Sequence, residues 1–347
     1  MVVLLLAGCS NAAEFAVPPT TSPTANLTLP DGFTAEIAAS GLSGPTQMIW
    51  GPDGRLWVAQ LFEGESDEAG QVVAVDLASN SQEVLLEGLN KPTGIAVLGG
   101  ALWIATKDHL LRASLDEALK PQTPKIILTN MPNNGRSNGT LTVTPNGHLL
   151  YETSGRRSGN RASDGSGILW QLDPNQPDNP AVLATGLKNA YAHVFDGNGR
   201  LWITEIGDGS VTGTDFEGQP PEELNLVVTG GDYGWPQCFG KQEPALNREG
   251  SSEICTQTEL PAALFPPQST PTSIAVAPWD DSVLLVALWL TGEVMAVQIE
   301  VDGNGRFTGT SSTFLTGIQN PQHLLPTPDG RLLVSDYRTG TIYRIRN

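Results

Sequence analysis

The sequence predicts an all-β fold: a six-bladed β-propeller closed by pairing of the N-terminal strand with the last blade. Among the 347 residues, glycine (38) and proline (26) are plentiful, and the apolar periodicity of helices is almost absent. A two-strand unit joined by a PDG, PNG or GNG turn recurs along the chain. Four strands in every ~47 residues are typical of a propeller blade.

The repeated unit occurs six times. Its copies span 45–60, 92–106, 139–153, 190–205, 271–288 and 321–336. The first apolar residues after the turns align as Leu56, Leu102, Leu149, Leu201, Leu284 and Leu332. Their spacing stays near ~47 residues, the length of one blade, except between Leu201 and Leu284, where a long segment is inserted. The first unit is followed by candidate third and fourth strands at 71–77 and 82–89.

The two ends of the chain predict how the ring closes. The last unit stops after its third strand, 341–346, whereas an unassigned strand at 33–42 resembles the fourth strand of the other units. Pairing of these two segments would leave no open sheet edge. Residues 30–347 are therefore predicted to form one propeller domain with an insertion at about 206–268.

The N-terminus looks like a bacterial lipoprotein signal. Cys9 ends the sequence LAGC after a short apolar run, so residues 1–9 are predicted to be the signal and Cys9 the acylated residue. Residues 10–29 are rich in Pro, Thr, Ala and Ser and are predicted to be a flexible tether. We expect export and attachment to the cell envelope, with membrane contact only through the lipid on Cys9. The alternative is a buried strand that begins at Met1.

The net charge of the chain limits the classes of ligand that it can bind. With 19 Lys and Arg against 37 Asp and Glu, the chain carries a net charge of −18, which disfavours nucleic acid. A small molecule such as a sugar-like ligand, or a cation, fits this charge.

In an exported protein Cys238 and Cys255 are expected to form a disulfide. A metal site there is disfavoured because no His or third Cys accompanies them.

The segment 186–240 contains the most specific motifs: G-L-x-N, E-x-G, P-P-E-E-L-N, G-G-x-Y-G-W-P and C-F-G. This pattern resembles the soluble glucose/sorbosone (aldose sugar) dehydrogenases that depend on pyrroloquinoline quinone (PQQ). The resemblance extends over about 29–347. It implies a six-bladed propeller that binds PQQ and Ca²⁺ on its top face and oxidises the C1 hydroxyl of a sugar.

The family's quinone-handling positions are mostly substituted in this chain. Arg136 stands where the family has its catalytic His, and an arginine cannot accept a proton at physiological pH. Lys188 and Asn189 replace an Arg-Asn pair, and Asn320 replaces an Arg before the sixth inner strand. These four positions are the candidate cofactor-binding residues, and the first three are the candidate catalytic ones. The family's cationic residue of the fifth blade falls near Trp289 and is absent.

The calcium region implied by the resemblance is better preserved. Gly207, Asp208 and Glu223, beside Glu222, are the candidate metal ligands, since carbonyl and carboxylate oxygens suit Ca²⁺. We expect the metal ligands and the quinone positions to lie together on the top face, where the loops after the second strands meet those before the innermost strands. In the competing arrangement, Arg136 forms a salt bridge with Asp208 or Glu223 and fills the site.

Two histidines offer a second location for chemistry. His193 and His323 lie on the predicted innermost strands of separate blades. They could converge near the axis to bind a metal or act as acid and base, or they could line the channel independently with water.

Three functions remain open from the sequence. The first is a PQQ-dependent sugar dehydrogenase with a rearranged site. The second is a non-catalytic, membrane-tethered propeller that binds a ligand or a protein. The third is a calcium-dependent lactone or ester hydrolase, for which Glu152, Glu205 and Asp336 at equivalent strand ends are candidates.

Overall fold

The structure is a computed structural model that describes residues 26–62, 67–133 and 138–347. The predictions for the signal 1–9 with Cys9, for most of the tether, and for Arg136 lie outside these residues. No helix in the described ranges is long and apolar enough to cross a membrane.

Six sheets form the blades, each with four antiparallel strands, and in blade 3 a fifth strand, parallel to its neighbour, extends the sheet. The first strand and blades 1 and 2 comprise β1 (Thr34–Ala39), β2 (Pro45–Trp50), β3 (Leu56–Gln60), β4 (Gly70–Asp76), β5 (Ser81–Leu89), β6 (Gly94–Leu98), β7 (Ala101–Ala105), β8 (Leu110–Ser114) and β9 (Lys125–Leu128). Blade 3 and the hairpin inserted in it comprise β10 (Thr142–Val143), β11 (Leu149–Thr153), β12 (Arg157–Ser158), β13 (Arg161–Ala162), β14 (Ile168–Leu172) and β15 (Ala181–Thr185).

Blade 4 and its insertions comprise β16 (Ala192–Phe195), β17 (Leu201–Glu205), β18 (Val211–Thr212), β19 (Glu217–Gly218), β20 (Glu222–Leu226), β21 (Gly231–Asp232), β22 (Cys238–Phe239), β23 (Glu243–Pro244), a 3₁₀ turn (Leu246–Arg248), α1 (Ser252–Cys255) and β24 (Ala263–Phe265). Blades 5 and 6 comprise β25 (Pro271–Ala277), β26 (Asp280–Leu288), β27 (Glu293–Val301), β28 (Phe307–Thr316), β29 (Pro321–Pro326), β30 (Leu332–Asp336) and β31 (Thr341–Arg346).

The ring closes as the sequence predicted. β1 pairs antiparallel with β31, with Thr34 opposite Arg346 and Ile37 opposite Tyr343. The N-terminal strand thus becomes the outermost strand of blade 6, whose order is β1-β31-β30-β29. The prediction of a six-bladed propeller closed by its own ends is confirmed.

In each blade, the second strand counted from the axis carries apolar side chains on both faces, and these side chains form the core between neighbouring blades. The strands β3, β7, β11, β17 and β30 are buried along their whole length. Trp57 of blade 1 is completely buried against Ile95 and Leu102 of blade 2. A strand covered by sheets on both sides needs apolar residues at successive positions, which explains the unbroken runs in the sequence.

Threonine hydroxyls join successive blades near the start of the innermost strands. The bonds run from Thr46 to the Pro92 carbonyl (2.9 Å), from Thr140 to Tyr191 (3.2 Å), from Thr204 to Pro271 (3.0 Å) and from Thr272 to Pro321 (3.2 Å). Because the carbonyls face a dry interface between blades, each bond satisfies a group that water cannot reach. The repeated Pro-Thr pairs of the sequence mark these junctions.

The predicted insertion at 206–268 contains β20 and β24, which are the third and fourth strands of blade 4. Between them, β21 runs parallel to β15 and extends the sheet of blade 3. The disulfide predicted between Cys238 and Cys255 is present and closes the following loop. The insertion therefore spans blades 3 and 4 and covers the top face, the face at which innermost strands begin and second strands end.

Candidate functional site

A polar opening on the top face lies where blades 3 and 4 meet the insertion. This cleft has a volume of about 600 Å³. Its lining comprises Asn133, Gly155, Arg156, Arg157, Lys188, Asp208 and Trp235.

Local backbone geometry brings the cleft residues together. Lys188 precedes β16, and its backbone N–H donates to Glu205 Oε1 at 2.7 Å. The Gly155 N–H donates to the Lys188 carbonyl at 2.6 Å. A Cβ on Gly155 would lie 2.7 Å from the indole of Trp235, so glycine is required for this close approach. The Lys188 amine lies 5.9 Å from the centre of the Trp235 ring.

Asp208 connects the cleft to the disulfide loop. Its Oδ2 accepts a hydrogen bond from Trp235 Nε1 at 2.8 Å and from the guanidinium of Arg248, while Arg157 Nε lies at 3.8 Å. Arg248 lies inside the loop closed by the disulfide and is buried. Burial alone would raise the pKa of Asp208, but the Trp235 hydrogen bond, the Gly209 N–H and the charge of Arg248 lower it below its usual value.

The cleft has an excess of positive charge in a strongly acidic protein. Lys188, Arg156 and Arg157 all line it, and Asp208 is the one carboxylate among the described lining residues. Asp208 pairs with Arg248, and Arg157 Nε lies 3.8 Å from the same carboxylate, so the cationic side chains of the lining outnumber its carboxylates by three to one. The opening is therefore suited to a ligand with several carboxylates.

A small cavity of about 20 Å³ adjoins the cleft, enough for one water molecule or ion. Its lining includes Lys188, Glu205, Gly207, Asp208 and Glu223. The structure thus gathers the predicted residues Lys188, Gly207, Asp208 and Glu223 around one cavity. Asn189 lies beside them in sequence, and its buried Oδ1 has no hydrogen-bond partner in the described chain.

Two buried carboxylates face each other at this cavity. Glu205 on β17 lies directly opposite Glu223 on β20. Glu223 accepts hydrogen bonds from the Gly240 N–H at 2.7 Å and from Asn225 Nδ2 at 3.0 Å. Burial raises the pKa of both carboxyls, and the Glu223 charge raises the pKa of Glu205 further.

Glu222 holds the loop that enters blade 5. It accepts a hydrogen bond from the Gly207 N–H, and the backbone N–H groups of Gln268 and Thr270 also act on it. Burial, opposed by these bonds, raises its pKa to about 7. Gln268 and Thr270 have φ values of 60° and 58°, in the left-handed region that a β-branched residue rarely adopts. The carboxylate of Glu222 therefore stabilises a strained turn.

The residues present fit PQQ and fit Ca²⁺ in part. The cationic excess of the cleft matches the three carboxylates of PQQ. The predicted residue Asn189 is buried and is not among the described residues that line the cleft. The Glu205–Glu223 pair suits a divalent cation by charge. In the described chain, however, no three His, Cys, Asp or Glu side chains converge on one point. An ion there would need carbonyl or cofactor oxygens to complete its six to eight ligands.

The strand-end carboxylates proposed for a hydrolase have a structural role. Glu152 Oε1 accepts from the Gly139 N–H at 3.0 Å, and Asp336 accepts from the Asn320 N–H at 3.2 Å. Each carboxylate, like Glu205, thus binds the segment that enters the innermost strand of its own blade. The three side chains hold three separate loops and do not form one shared site in the described residues.

The two inner-strand histidines line the central channel, a cavity of about 350 Å³ on the axis. His323 Nδ1 accepts a bond from the Met48 N–H at 3.4 Å, and His193 Nδ1 lies 3.3 Å from Thr142 Oγ1. Burial lowers the pKa of His193 to about 4 and that of His323 to about 3. Both are neutral and fit the interpretation as independent channel lining.

Several residues of the site were missed from the sequence. Arg156 and Arg157 occupy the loop after β11 that corresponds to Gly207-Asp208 after β17, so alignment of the loops could have found them. Arg248 and the hydrogen bond of Trp235 depend on the path of the insertion, which has no repeat to align. Asn320 is not among the described residues that line the cleft, because it lies before the innermost strand of blade 6 and the cleft lies at blades 3 and 4. Its Nδ2 donates to the Trp289 carbonyl at 2.9 Å.

Comparison with known proteins gives consistent matches. A family model described as glucose/sorbosone dehydrogenase matches residues 103–344. A curated relative, quinoprotein glucose dehydrogenase B of Acinetobacter calcoaceticus, is 23% identical over an alignment of 276 residues. The match covers 61% of this chain and 54% of that protein. The chain thus spans about half the length of this relative.

Solved structures share the fold at low identity. The holo PQQ domain of pyranose dehydrogenase from Coprinopsis cinerea superposes with a TM-score of 0.75 at 17% identity, covering 92% of this chain and 97% of that one. A calcium structure of a Trichoderma reesei family AA12 enzyme superposes with a TM-score of 0.78 at 19% identity, covering 94% of this chain and 98% of that one. The PQQ-bound aldose sugar dehydrogenase from Streptomyces coelicolor superposes with a TM-score of 0.68 at 19% identity, covering 92% of this chain and 99% of that one.

Proposed function

Since the chain belongs to the glucose/sorbosone dehydrogenase family, we propose that it is a PQQ-dependent dehydrogenase that oxidises the C1 hydroxyl of an aldose sugar. The observation that carries this proposal is the cleft between blades 3 and 4. There, three cationic side chains and one carboxylate line an opening large enough for a cofactor, in a protein of net charge −18.

The cofactor would be held mainly by blades 3 and 4. Lys188, Arg156 and Arg157 would bind its carboxylates through charge-assisted hydrogen bonds, which are stronger than neutral ones. Trp235, fixed by its bond to Asp208, would form part of the wall of the cofactor site. PQQ supplies an ortho-quinone that takes up the two electrons and the hydrogen removed from C1 of the sugar.

A base must accept the proton of the sugar hydroxyl. Arg136 cannot do so, and Asp208 is the carboxylate among the described residues that line the cleft. Its lowered pKa keeps it ionised near neutral pH, and Arg248 and Trp235 fix its orientation. We therefore assign the proton-accepting role to Asp208. Calcium would lie near Glu205 and Glu223, where a cation relieves the repulsion between two buried carboxylates.

We also propose that the protein is exported and attached to the cell envelope through a lipid on Cys9. The Cys238–Cys255 disulfide supports this location, because such bonds persist in oxidising compartments. Replacement of Cys9 by Ala should release the protein from washed membranes. Retention of the Cys9→Ala variant in the membrane fraction would contradict the anchor.

The test of the enzymatic function is reconstitution. Purified protein loaded with PQQ and CaCl₂ should reduce a redox dye in the presence of one or more sugars from a panel of aldoses. The Asp208→Asn variant should lose most of this activity while it still binds PQQ. Bound PQQ without oxidation of any sugar in the wild type would reject the dehydrogenase and leave a binding protein.

A further inference from the structure

A groove opens on the bottom face of the propeller, the face at which the innermost strands end. It lies between the turns of blades 3 and 4, extends to Phe307 at the start of β28, and has a volume of about 480 Å³. The cofactor cleft lies at the loop after β11, whereas this groove lies at the turn before β11. The length of that strand therefore separates the groove from the cleft.

The walls of the groove are mainly apolar. They are formed by half-buried side chains, namely Leu183, Phe195, Leu226, Val227 and Phe307. The neighbouring Val228 is 44% exposed. Pockets that bind small molecules have volumes of roughly 300–1,000 Å³ and are lined mostly by apolar side chains with a few polar groups. The groove has this size and this character.

Arg200 is the one charged residue among the described residues that line the groove. Its Cζ atom lies 4.4 Å from the centre of the Phe307 ring, and its Nε donates to Asp196 Oδ2 at 2.6 Å. These two contacts hold the guanidinium in place, while its Nη groups have no hydrogen-bond partner in the described chain. A fixed guanidinium with free donors is suited to binding a carboxylate through two parallel hydrogen bonds.

The pairing with Asp196 leaves much of this positive charge available. Trp202 Nε1 donates to Asp196 Oδ2 at 2.8 Å, and the backbone N–H groups of Asn198 and Arg200 donate to its Oδ1 at 2.9 and 3.0 Å. The negative charge of Asp196 is therefore stabilised by four donors, of which the Nε of Arg200 is only one.

Comparison with blade 1 shows what is unusual about Arg200. Arg55, after the equivalent turn of blade 1, donates from Nε to Asp53 at 2.8 Å and from Nη1 to Glu83 at 2.7 Å. In the described chain no carboxylate takes the place of Glu83 beside the Nη groups of Arg200. Blade 4 thus presents an unused guanidinium edge to an apolar groove, in a protein of net charge −18.

We propose that the bottom groove binds a free amphipathic carboxylate of the fatty-acid type, with its carboxylate on Arg200 and its apolar chain along the walls. An anion is favoured because a cationic or apolar head group would leave the charge of Arg200 unpaired beside an apolar surface. An apolar chain is favoured because it removes half-exposed apolar side chains from water. This site is independent of the proposed dehydrogenase function.

Calorimetric titration of the cofactor-free protein with fatty acids, below the concentrations at which they form micelles, tests the site. Wild type should bind decanoate at least about tenfold more tightly than hexanoate, because each buried CH₂ group increases affinity up to about fourfold. Equal affinity for the two acids, or no binding of decanoate by wild type, would overturn the inference. This comparison needs no variant.

Substitution of Arg200 tests the contact with the carboxylate. Arg200→Met should bind decanoate at least about tenfold more weakly than wild type, because charge-assisted hydrogen bonds are lost, and should bind decanol as wild type does. The matched control is Arg331→Met, after the equivalent turn of blade 6, where Nη1 already pairs with Asp329 at 3.2 Å. This control should bind decanoate like wild type. Equal weakening of decanoate and decanol binding by Arg200→Met, or no weakening of either, would contradict the contact.

A further comparison separates the groove from the cofactor cleft, which also contains cations. The Arg156→Gln, Arg157→Gln double variant should bind decanoate like wild type, and saturation with PQQ and CaCl₂ should not weaken decanoate binding. Loss of decanoate binding in the double variant would assign the carboxylate to the cleft and overturn the groove site. Self-association of the ligand-free protein that decanoate reverses would assign the groove to a second copy of the chain and also overturn it.

Discussion

Lys188 is predicted to stabilise the site through charge as well as through cofactor binding. Its ammonium group lowers the pKa of four buried or half-buried carboxyls, Glu152, Glu205, Asp208 and Glu222. Replacement of Lys188 by Met keeps the length of the side chain and removes the charge. The free energy of unfolding of the cofactor-free protein should then fall in a manner that depends on pH.

The sign follows from the pKa values in the folded protein. Burial raises the pKa of Glu152 and Glu222 from 4.5 to about 7, so both are protonated at pH 5 and ionised at pH 8. Carboxyls with raised pKa contribute stability that is present below pH 4.5 and lost as the pH rises through 7. Without Lys188 these pKa values rise further, so the added loss appears at pH 8 and is nearly absent at pH 5.

The size of the loss can be estimated. One pKa unit corresponds to about 1.4 kcal/mol, and a few tenths of a unit on each of Glu152 and Glu222 gives about 1 kcal/mol at pH 8. Loss of the contact with Trp235 adds about 0.5–1 kcal/mol at either pH. Asp208 is ionised at both values, because its pKa is lowered, and contributes equally to both.

Urea unfolding at pH 5 and pH 8 measures this difference. Lys188→Arg retains the charge and should behave like wild type, and Lys125→Met, at an exposed position of β9, is the matched control for loss of one lysine. An equal loss of stability by Lys188→Met at both pH values would refute the reasoning.

Three further predictions follow from the packing around the site. Glu152→Gln should raise the free energy of unfolding by about 2 kcal/mol at pH 8 and by little at pH 5. The reason is that glutamine still accepts the Gly139 N–H but places no ionised group in the interior. Unfolding curves measured at both pH values test this difference. Cys238→Ser combined with Cys255→Ser should cost about 3 kcal/mol, and an unchanged melting temperature would argue against it. Gly155→Ala should displace Trp235, cost about 1–3 kcal/mol and alter the tryptophan fluorescence, whereas an unaltered spectrum would contradict the close approach.

The fold could be predicted because each blade repeats the same physical requirements. Alternating apolar residues, glycine-containing turns and Pro-Thr junctions recur, so one correctly interpreted unit determines the others. Closure by β1 and β31 followed from the need to leave no open edge. Lys188 and Asp208 were found together because the loop before an innermost strand and the loop after a second strand meet at the top face.

The electrostatics of the site could not be predicted from the repeat. Arg248 reaches Asp208 through the disulfide-closed loop, whose path has no counterpart in the other blades. The pairing of Glu205 with Glu223 depends on the register of β17 and β20 across the hairpin β18–β19. The sequence interpretation named Glu152, Glu205 and Asp336 as candidates for a hydrolase, because nothing in the sequence indicates that a carboxylate accepts a backbone N–H in a loop of its own blade.

The most direct test of the PQQ site is calorimetric titration of the protein with PQQ in the presence of CaCl₂. Wild type should bind one equivalent. The Arg156→Gln, Arg157→Gln double variant and Lys188→Met should each bind at least about tenfold more weakly, because each loses charge-assisted bonds to carboxylates. Arg306→Gln, a surface substitution on blade 5, should bind like wild type. Equal affinity of wild type and the cleft variants, or no binding by wild type, would contradict the assignment of this cleft to the cofactor.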